Sequence, residues 1–312
     1  MVKIAVVGVE VWEKNYADAL SKLDALSAVY GTDASRVKNF GDRYHVNSYT
    51  SIEEMIKNEE LDGAIINTPA STRFVVAKQF MEHRINVLVE KPMGVSSSEC
   101  EQMYTIAKRN NVILTAGCLE RFNPAVKNVK EFISQKKYGD MLRLEFHREN
   151  RLLVNIQNMG IIHDTSVHDI DAALYLFDDK PHMVVARAGS VSGTQEDFAA
   201  IVLSFKDQKI AFIASNWITP KKICQFAAVC KDAIMTGDFI TQEIKIDQGE
   251  DTLILRSESE EPLILELRNF IGAVEGYAKP LVRAEDAINT SIVTEATLLS
   301  SRTGSPIYLD LK

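Results

Sequence analysis

Over the first 120 residues, short apolar runs alternate with stretches of helical spacing. The runs at 2–7, 25–30, 63–67, 86–90 and 112–116 are continuous instead of alternating, which suits strands buried on both faces of a parallel sheet. Between them, 12–22, 34–43, 51–57, 71–83 and 96–109 repeat their apolar residues at helical intervals, with Ser51, Ser71 and Ser96 at N-cap positions. Strand, helix and strand repeated in this way predict an α/β fold, a doubly wound parallel sheet with right-handed crossovers.

Beyond residue 120 the pattern changes. A helix at 124–135 leads to a strand at 141–149, and a second helix is predicted at 164–177. Strand-like runs follow at 183–190, 198–205, 210–216, 223–230, 233–236 and 243–247, with turn residues such as Lys206-Asp207-Gln208 and Gly237-Asp238 between them. Consecutive strands with short turns predict a mostly antiparallel open sheet. Helices at 262–276 and 283–302 close the chain. The length of 312 residues fits two domains, 1–120 and an α+β domain at 121–312.

Composition narrows the class. The hydrophobic share of 46% and the charged share of 25% are ordinary for a globular protein. No apolar run approaches the roughly 18 residues needed to span a bilayer, so no membrane partner is expected. The net charge of -8 argues against nucleic acid or an anionic membrane surface as the main partner. The start, Met1-Val2-Lys3-Ile4-Ala5-Val6-Val7-Gly8, reads as a buried strand without a basic n-region or a small-residue cleavage site, and a cytoplasmic location is expected. Cys100, Cys118, Cys224 and Cys230 show neither C-x-x-C nor zinc-like spacing and are read as reduced and mostly buried.

Gly8 ends the first strand, where a phosphate-binding turn belongs. The pattern G-x-G-x-x-G needs glycines at 10 and 13, and Glu10 and Glu13 stand there. On motif alone, a Rossmann dinucleotide site and a plain α/β turn both stay open. If a dinucleotide binds, Gly8, Val9, Val11 and Trp12 form its turn. At the end of the second strand a carboxylate would accept from the adenosine ribose and disfavour a 2′-phosphate. The sequence there is Gly31-Thr32-Asp33-Ala34-Ser35-Arg36. Thr32 and Arg36 offer a place for the 2′-phosphate and Asp33 one for the ribose; the reading leans to NADP or dual use.

Two further stretches carry chemistry. Val87-Leu88-Val89-Glu90-Lys91-Pro92 is a strand ending in an ionisable pair, and the proline restricts Lys91 to extended geometry. Asp164-Thr165-Ser166-Val167-His168 sets a carboxylate and an imidazole on one face of a helix. Lysine, aspartate and histidine are the types that move a proton off an alcohol while another group takes the hydride. An ammonium stabilises the developing alkoxide. A histidine titrating near neutrality serves as base, and a carboxylate orients it. Asp164 can also be read as a helix cap. His163, Asp164, His168, Asp169 and Asp171 have metal-ligating side chains, but no supporting ligand cluster stands elsewhere and no metal is expected. Asp169 and Asp171 are read as supporting or packing residues, and Ile170, Leu174 and Phe177 as core.

Five features share one order: the strand-turn start, Asn67-Thr68-Pro69-Ala70-Ser71-Thr72, Val89-Glu90-Lys91-Pro92, Arg121-Phe122-Asn123-Pro124, and Gly160 followed by Asp164-x-x-x-His168-x-x-Asp171. In these the chain resembles the Gfo/Idh/MocA oxidoreductase family over essentially its whole length. The resemblance implies a Rossmann dinucleotide-binding domain at 1–120, a substrate-binding and oligomerisation domain at 121–312, and NAD or NADP as cofactor. It implies Lys91 between nicotinamide ribose and substrate, and Asp164 and His168 facing the substrate hydroxyl. It extends the cofactor contacts to Asn67, Thr68, Pro69, Glu90, Lys91 and Arg121, and it implies a homodimer or homotetramer.

Residues 118–124 and 155–171 most resemble the branch that oxidises the 3-hydroxyl of UDP-N-acetylglucosamine. Arg143, Arg148 and Arg151 offer charge for a diphosphate or form a strand-edge charge pattern, and Trp217 offers either a stacking face or core packing. The expected activity is hydride transfer between a secondary hydroxyl of a sugar, a nucleotide sugar first, and the nicotinamide. Two rivals stand beside it. One is a dehydrogenase or reductase of a free sugar or inositol. The other is a non-catalytic relative that has lost cofactor binding, for which Glu10 and Glu13 speak.

Overall fold

The computed structural model describes residues 2–9, 13–151, 159–191, 194–256 and 260–311. The chain folds as two units, Met1–Cys118 with Glu261–Ile288 and Leu119–Glu260 with Asn289–Lys312. The single cut expected after residue 120 is therefore corrected: a segment near the C-terminus belongs with the first unit.

The first unit runs β1 (Ile4–Val7), α1 (Glu13–Lys22), β2 (Leu26–Tyr30), α2 (Ala34–Tyr44), β3 (Asn47–Tyr49), α3 (Ile52–Asn58), β4 (Gly63–Ile66), α4 (Ala70–Glu82), β5 (Asn86–Glu90), α5 (Ser97–Asn110) and β6 (Leu114–Gly117). All six strands are parallel, in the order β3-β2-β1-β4-β5-β6. This is a doubly wound Rossmann-type sheet whose order reverses between β1 and β4. Every residue of β1 and β4 is buried, as continuous apolar runs predict. Ser51 and Ser96 cap α3 and α5 by accepting from the N–H groups of Glu54 and Glu99. Ser71 does not cap: α4 starts one residue earlier, with Pro69 at its N-cap position. The short strand β3 is a sixth strand that apolar patterning misses, because Asn47-Ser48-Tyr49 is polar and pairs only at the sheet edge.

The second unit contains α6 (Pro124–Ser134), β7 (Met141–Glu149), a wide π-type turn Ile162–Ser166, α7 (Val167–Phe177), β8 (Met183–Gly189), β9 (Phe198–Ser204), β10 (Ile210–Asn216), β11 (Ile223–Cys230), β12 (Ile234–Asp238), β13 (Glu243–Gln248) and β14 (Asp251–Arg256). Helix α8 (Pro262–Val274) belongs to the first unit, the boundary falls inside α9 (Ala284–Thr303), and β15 (Ile307–Tyr308) returns to the second. The nine strands lie in the order β14-β13-β12-β11-β7-β10-β9-β8-β15. All pairings are antiparallel except β7 with β10. β14 and β15 were outside the predicted strands, and the single helix predicted at 164–177 opens instead with the wide turn.

Along β9, β10 and β11 every second residue is buried. These face a core that includes Val126 and Val129 of α6, Ile170 and Leu174 of α7, and Val293 and Ala296 of α9. All four cysteines are buried, and burial pushes the Cys224 thiol up to about 12 and that of Cys230 up to about 11. Among the described residues, no helix is long and apolar enough to cross a membrane.

Two buried ion pairs hold α7. Arg121 donates through Nε and Nη2 to Asp171 at 2.8 and 2.7 Å, and its guanidinium lies over Tyr175. Thr290 of α9 also donates to Asp171. Arg148 of β7 donates to Asp169 through Nη2 at 2.9 Å and to Glu120 through Nη1 at 2.9 Å. Burial pushes the Glu120 carboxyl up. For Arg148 burial works downward, but the facing Asp169 and Glu120 prevail and hold it protonated. Breaking such a pair leaves one buried charge alone. Asp171→Ala is expected to cost about 3–5 kcal/mol, and Arg121→Met with Asp171→Leu to recover most of it. Urea denaturation checks this; a loss below about 1 kcal/mol, the range of an exposed pair, would show that the pair does not anchor α7.

Candidate active site

The carboxyl ends of β1 and β4 form the place where strand order reverses, which is where doubly wound sheets bind ligands. Gly8, just beyond β1, has φ +106°. A Cβ there would lie 2.8 Å from the carbonyl carbon and oxygen of Asn67. Only glycine meets both demands. The Gly8 N–H donates to the Tyr30 carbonyl, and its own carbonyl accepts from Asn67 Nδ2 at 3.4 Å. Thr68 is buried, and its Oγ1 meets no hydrogen-bond partner among the described residues. Pro69 is exposed.

The next turn is shaped by crowding. A Cβ on Gly31 would stand 2.5 Å from Val9 Cγ2. Val9 is 1% exposed, so its side chain is core and leaves only its backbone for a ligand. Thr32, Asp33 and Arg36 are exposed. Asp33 is the N-cap of α2: its Oδ1 accepts from Ser35 N at 2.9 Å, Arg36 N at 3.0 Å and Ser35 Oγ at 2.7 Å. The bond from the Arg36 N–H leads in holding the Asp33 carboxyl below its ordinary range. Glu10, Val11 and Trp12 lie outside the described residues. The turn at Gly8, the donor-rich Asn67-Thr68 loop and the acidic head of α2 suit a dinucleotide laid across this edge.

Lys91 follows β5 and is half-buried, with a cis bond to Pro92. Its N–H donates to Glu90 Oε2 at 2.7 Å, while Glu90 Oε1 accepts from Tyr16 of α1 at 2.6 Å. Burial, then the Glu90 and Glu266 charges, push the Tyr16 hydroxyl far up, so it stays a donor. Arg73 of α4 is 8% exposed and binds three carbonyls: Nε to Thr68 at 2.8 Å, Nη1 to Glu90 at 2.9 Å and to Pro92 at 2.6 Å. It thus ties the Asn67-Thr68-Pro69 loop to the loop that carries Lys91. Burial lowers the Arg73 pKa, opposed by Glu90 and Tyr16. Sequence reasoning missed both Tyr16 and Arg73. The signal was available: Arg73 shares a helical stripe with Val76, Ala77 and Phe80, all buried.

In the second unit, Asp164 lies in the wide turn and His168 in the first turn of α7, both half-buried. Wide turns of this kind frequently mark functional positions. The N-cap position of the wide turn is Ile161, and that of α7 is Ser166. Asp164 Oδ2 accepts from Thr165 Oγ1 at 3.2 Å. Asp169 and Asp171, by contrast, are committed to Arg148 and Arg121. A Cβ on Gly160 would meet the Glu196 carboxylate, the movable end of a half-exposed side chain. Burial lowers the pKa of His163 next door, which favours the neutral ring. Among the described residues, no group of three or more His, Cys, Asp or Glu is placed to hold a metal ion.

The structure gives three further residues their partners. Arg121, expected at the cofactor, is 5% exposed and its fork grips Asp171, which makes it an anchor of α7. Arg148, offered for a diphosphate or as a strand charge, is locked between Asp169 and Glu120. Trp217 packs partly on the core, and its indole N–H donates to Thr165 Oγ1. Asn155, part of the nucleotide-sugar resemblance, lies outside the described residues.

Arg73→Met should strand three carbonyls and lower stability by about 3 kcal/mol. Arg73→Lys should recover little, since a single ammonium cannot reproduce the planar fork. Thermal melts of both variants decide this; a lysine variant as stable as the parent would show that charge alone suffices.

Comparison with known proteins agrees with this architecture. Residues 2–118 match the model of an oxidoreductase family with an NAD-binding Rossmann fold, and residues 126–235 match the GFO/IDH/MocA C-terminal domain. UDP-N-acetylglucosamine 3-dehydrogenase of Acidithiobacillus ferrooxidans is 22% identical over 285 residues, covering 88% of this chain and 89% of that protein. The NADP(+)-dependent scyllo-inositol 2-dehydrogenase IolU of Bacillus subtilis is 24% identical over 297 residues, covering 90% and 83%. The crystal structure of an oxidoreductase from Agrobacterium radiobacter, in complex with NAD+, L-tartaric acid and magnesium, superposes with a TM-score of 0.91 at 16% identity, covering 98% of each chain. With both of its domain models matched in order, the chain belongs to the Gfo/Idh/MocA family of NAD(P)-dependent oxidoreductases.

Proposed function

We propose that the protein is a dehydrogenase acting on a secondary hydroxyl of a sugar. When bound, the nicotinamide accepts or returns the hydride. His168 takes the hydroxyl proton, Lys91 stabilises the charge that develops on the oxygen, and Asp164 orients and balances His168. One observation carries this reading: along a single segment, Asp169 and Asp171 are buried in ion pairs, while Asp164 and His168 stay half-exposed. Groups that serve packing alone would be expected to follow the first pattern.

For the substrate, likeness to the UDP-N-acetylglucosamine enzyme over 88% of the chain makes a nucleotide sugar the first candidate. A free sugar or cyclic polyol is the second, and the commitment of Arg148 to Glu120 and Asp169 favours it. For the cofactor, the Asp33 carboxylate at the head of α2 faces any 2′-phosphate held by Thr32 and Arg36 with like charge. That supports NAD over NADP. For assembly, the outer face of the large sheet presents Phe198, Ile210 and Ile234, which supports a homodimer or homotetramer.

Melting temperatures measured with NAD, NADH, NADP and NADPH should rise with the NAD pair at concentrations well above Kd. Asp33→Asn keeps a good N-cap but removes the charge, and should narrow the gap between the two pairs; an unchanged preference would place the discrimination elsewhere. With a panel of nucleotide sugars, free sugars and inositols, Lys91→Ala should lower kcat by a factor on the order of 100 or more while the fold survives. Unchanged turnover would remove Lys91 from the mechanism.

A further inference from the structure

The segment that carries Asp164 is tied to β10 and its exit through two consecutive hydroxyls. Ser166 Oγ lies 3.0 Å from Ser215 Oγ, and Thr165 Oγ1 accepts from the indole N–H of Trp217 at 3.1 Å. Thr165 is 8% exposed, so bulk water has little access to its hydroxyl. Trp217 is fixed twice, by its ring against the core and by its backbone N–H, which donates to the Asp197 carbonyl at 2.9 Å.

An indole N–H can only donate, and a threonine hydroxyl has one proton to give. With the indole donating into Thr165 Oγ1, the hydroxyl proton turns outward, and Asp164 Oδ2 lies 3.2 Å away to receive it. The direction of the chain is therefore set: Trp217 to Thr165 to Asp164. We infer that Trp217 and Thr165 are positioning residues, a donor relay that fixes the orientation of the Asp164 carboxylate. This rests on the proposed role of Asp164 toward His168. A valine at 165 would fill the same space, but it would remove the hydroxyl that donates to Asp164 Oδ2 and leave the indole N–H without its acceptor. Neither residue touches the reacting atoms; they act through Asp164.

The test has two arms, so that failure of the relay and failure of the dehydrogenase reading can be told apart. The chain has two tryptophans, so 15N labelling of the indoles gives two side-chain signals, and Trp217→Phe identifies the one that matters. Thr165→Val and Asp164→Asn should both move the Trp217 signal, and Thr165→Ser should leave it in place. In the kinetic arm, run with the substrate the panel identifies, Thr165→Val should lower kcat on the order of ten- to a hundredfold with KM nearly unchanged. Thr165→Ser should restore kcat, because it keeps the hydroxyl. A Trp217 signal that ignores Asp164→Asn, or a valine variant as fast as the parent, would overturn the relay. If the parent turns over no substrate, the dehydrogenase reading fails, and the labelled indole still decides whether the relay exists.

Discussion

The first unit depends on a cation placed where a helix would ordinarily bury only apolar side chains. Arg73 sits on the inner stripe of α4 and reaches the carbonyls of Thr68, Glu90 and Pro92. The loops beyond a parallel strand lack a neighbouring ladder, so their carbonyls need other partners. A planar guanidinium can serve several at once, with charge-assisted bonds. Burial disfavours that charge, and the Glu90 carboxylate opposes the penalty. The edge that a dinucleotide would use is thus held by side chains, with no regular structure needed there. Tyr16 completes the arrangement from α1 by fixing the Glu90 carboxylate, which in turn accepts the Lys91 N–H.

The second unit applies the same device with the signs reversed. Asp169 and Asp171 occupy buried positions on α7, and each is met by an arginine from a different element, Arg148 of β7 and Arg121 of the turn Leu119–Phe122. Those pairs set where α7 lies and what it presents. Asp164, one turn earlier, accepts from the Thr165 hydroxyl, which itself accepts from the Trp217 indole. A carboxylate locked by a bidentate arginine cannot exchange partners cheaply, whereas one that accepts from a hydroxyl can. The choice of partner separates the acids that build α7 from the acid assigned a chemical role.

Most strands of both sheets were legible because burial leaves a pattern in the sequence: continuous where both faces are covered, as in β1 and β4, and alternating where one is, as in β10. β3 was not legible, since a polar edge strand of three residues carries neither pattern. The return of α8 to the first unit was equally hidden, because periodicity reports that a helix has an apolar face and not what covers it. Lys91, Asp164 and His168 could be singled out by residue type and spacing. The buried pairs of Arg121 and Arg148 were not legible, because a sequence shows a cation but not the carboxylate it will meet, and both meet buried aspartates on α7.

Glycine has a similar ambiguity. A glycine in a nucleotide fingerprint is usually explained by the close approach of a phosphate. At Gly8 and Gly31 the space of the missing Cβ is taken by the protein itself: Asn67 and Thr68 at Gly8, and Val9 at Gly31. Crowding from within selects glycine as surely as crowding by a ligand, so counting fingerprint glycines measures the packing of the turn before it measures affinity. At Gly31 the buried Val9 also explains why no carboxylate can stand at the end of β2. The acidic group has moved two residues on, to Asp33, where the N–H groups that open α2 stabilise it. On the proposed reading, the cofactor is then distinguished by charge at the head of α2, with Asp33 set against Arg36, and not by the shape of the turn at Gly31.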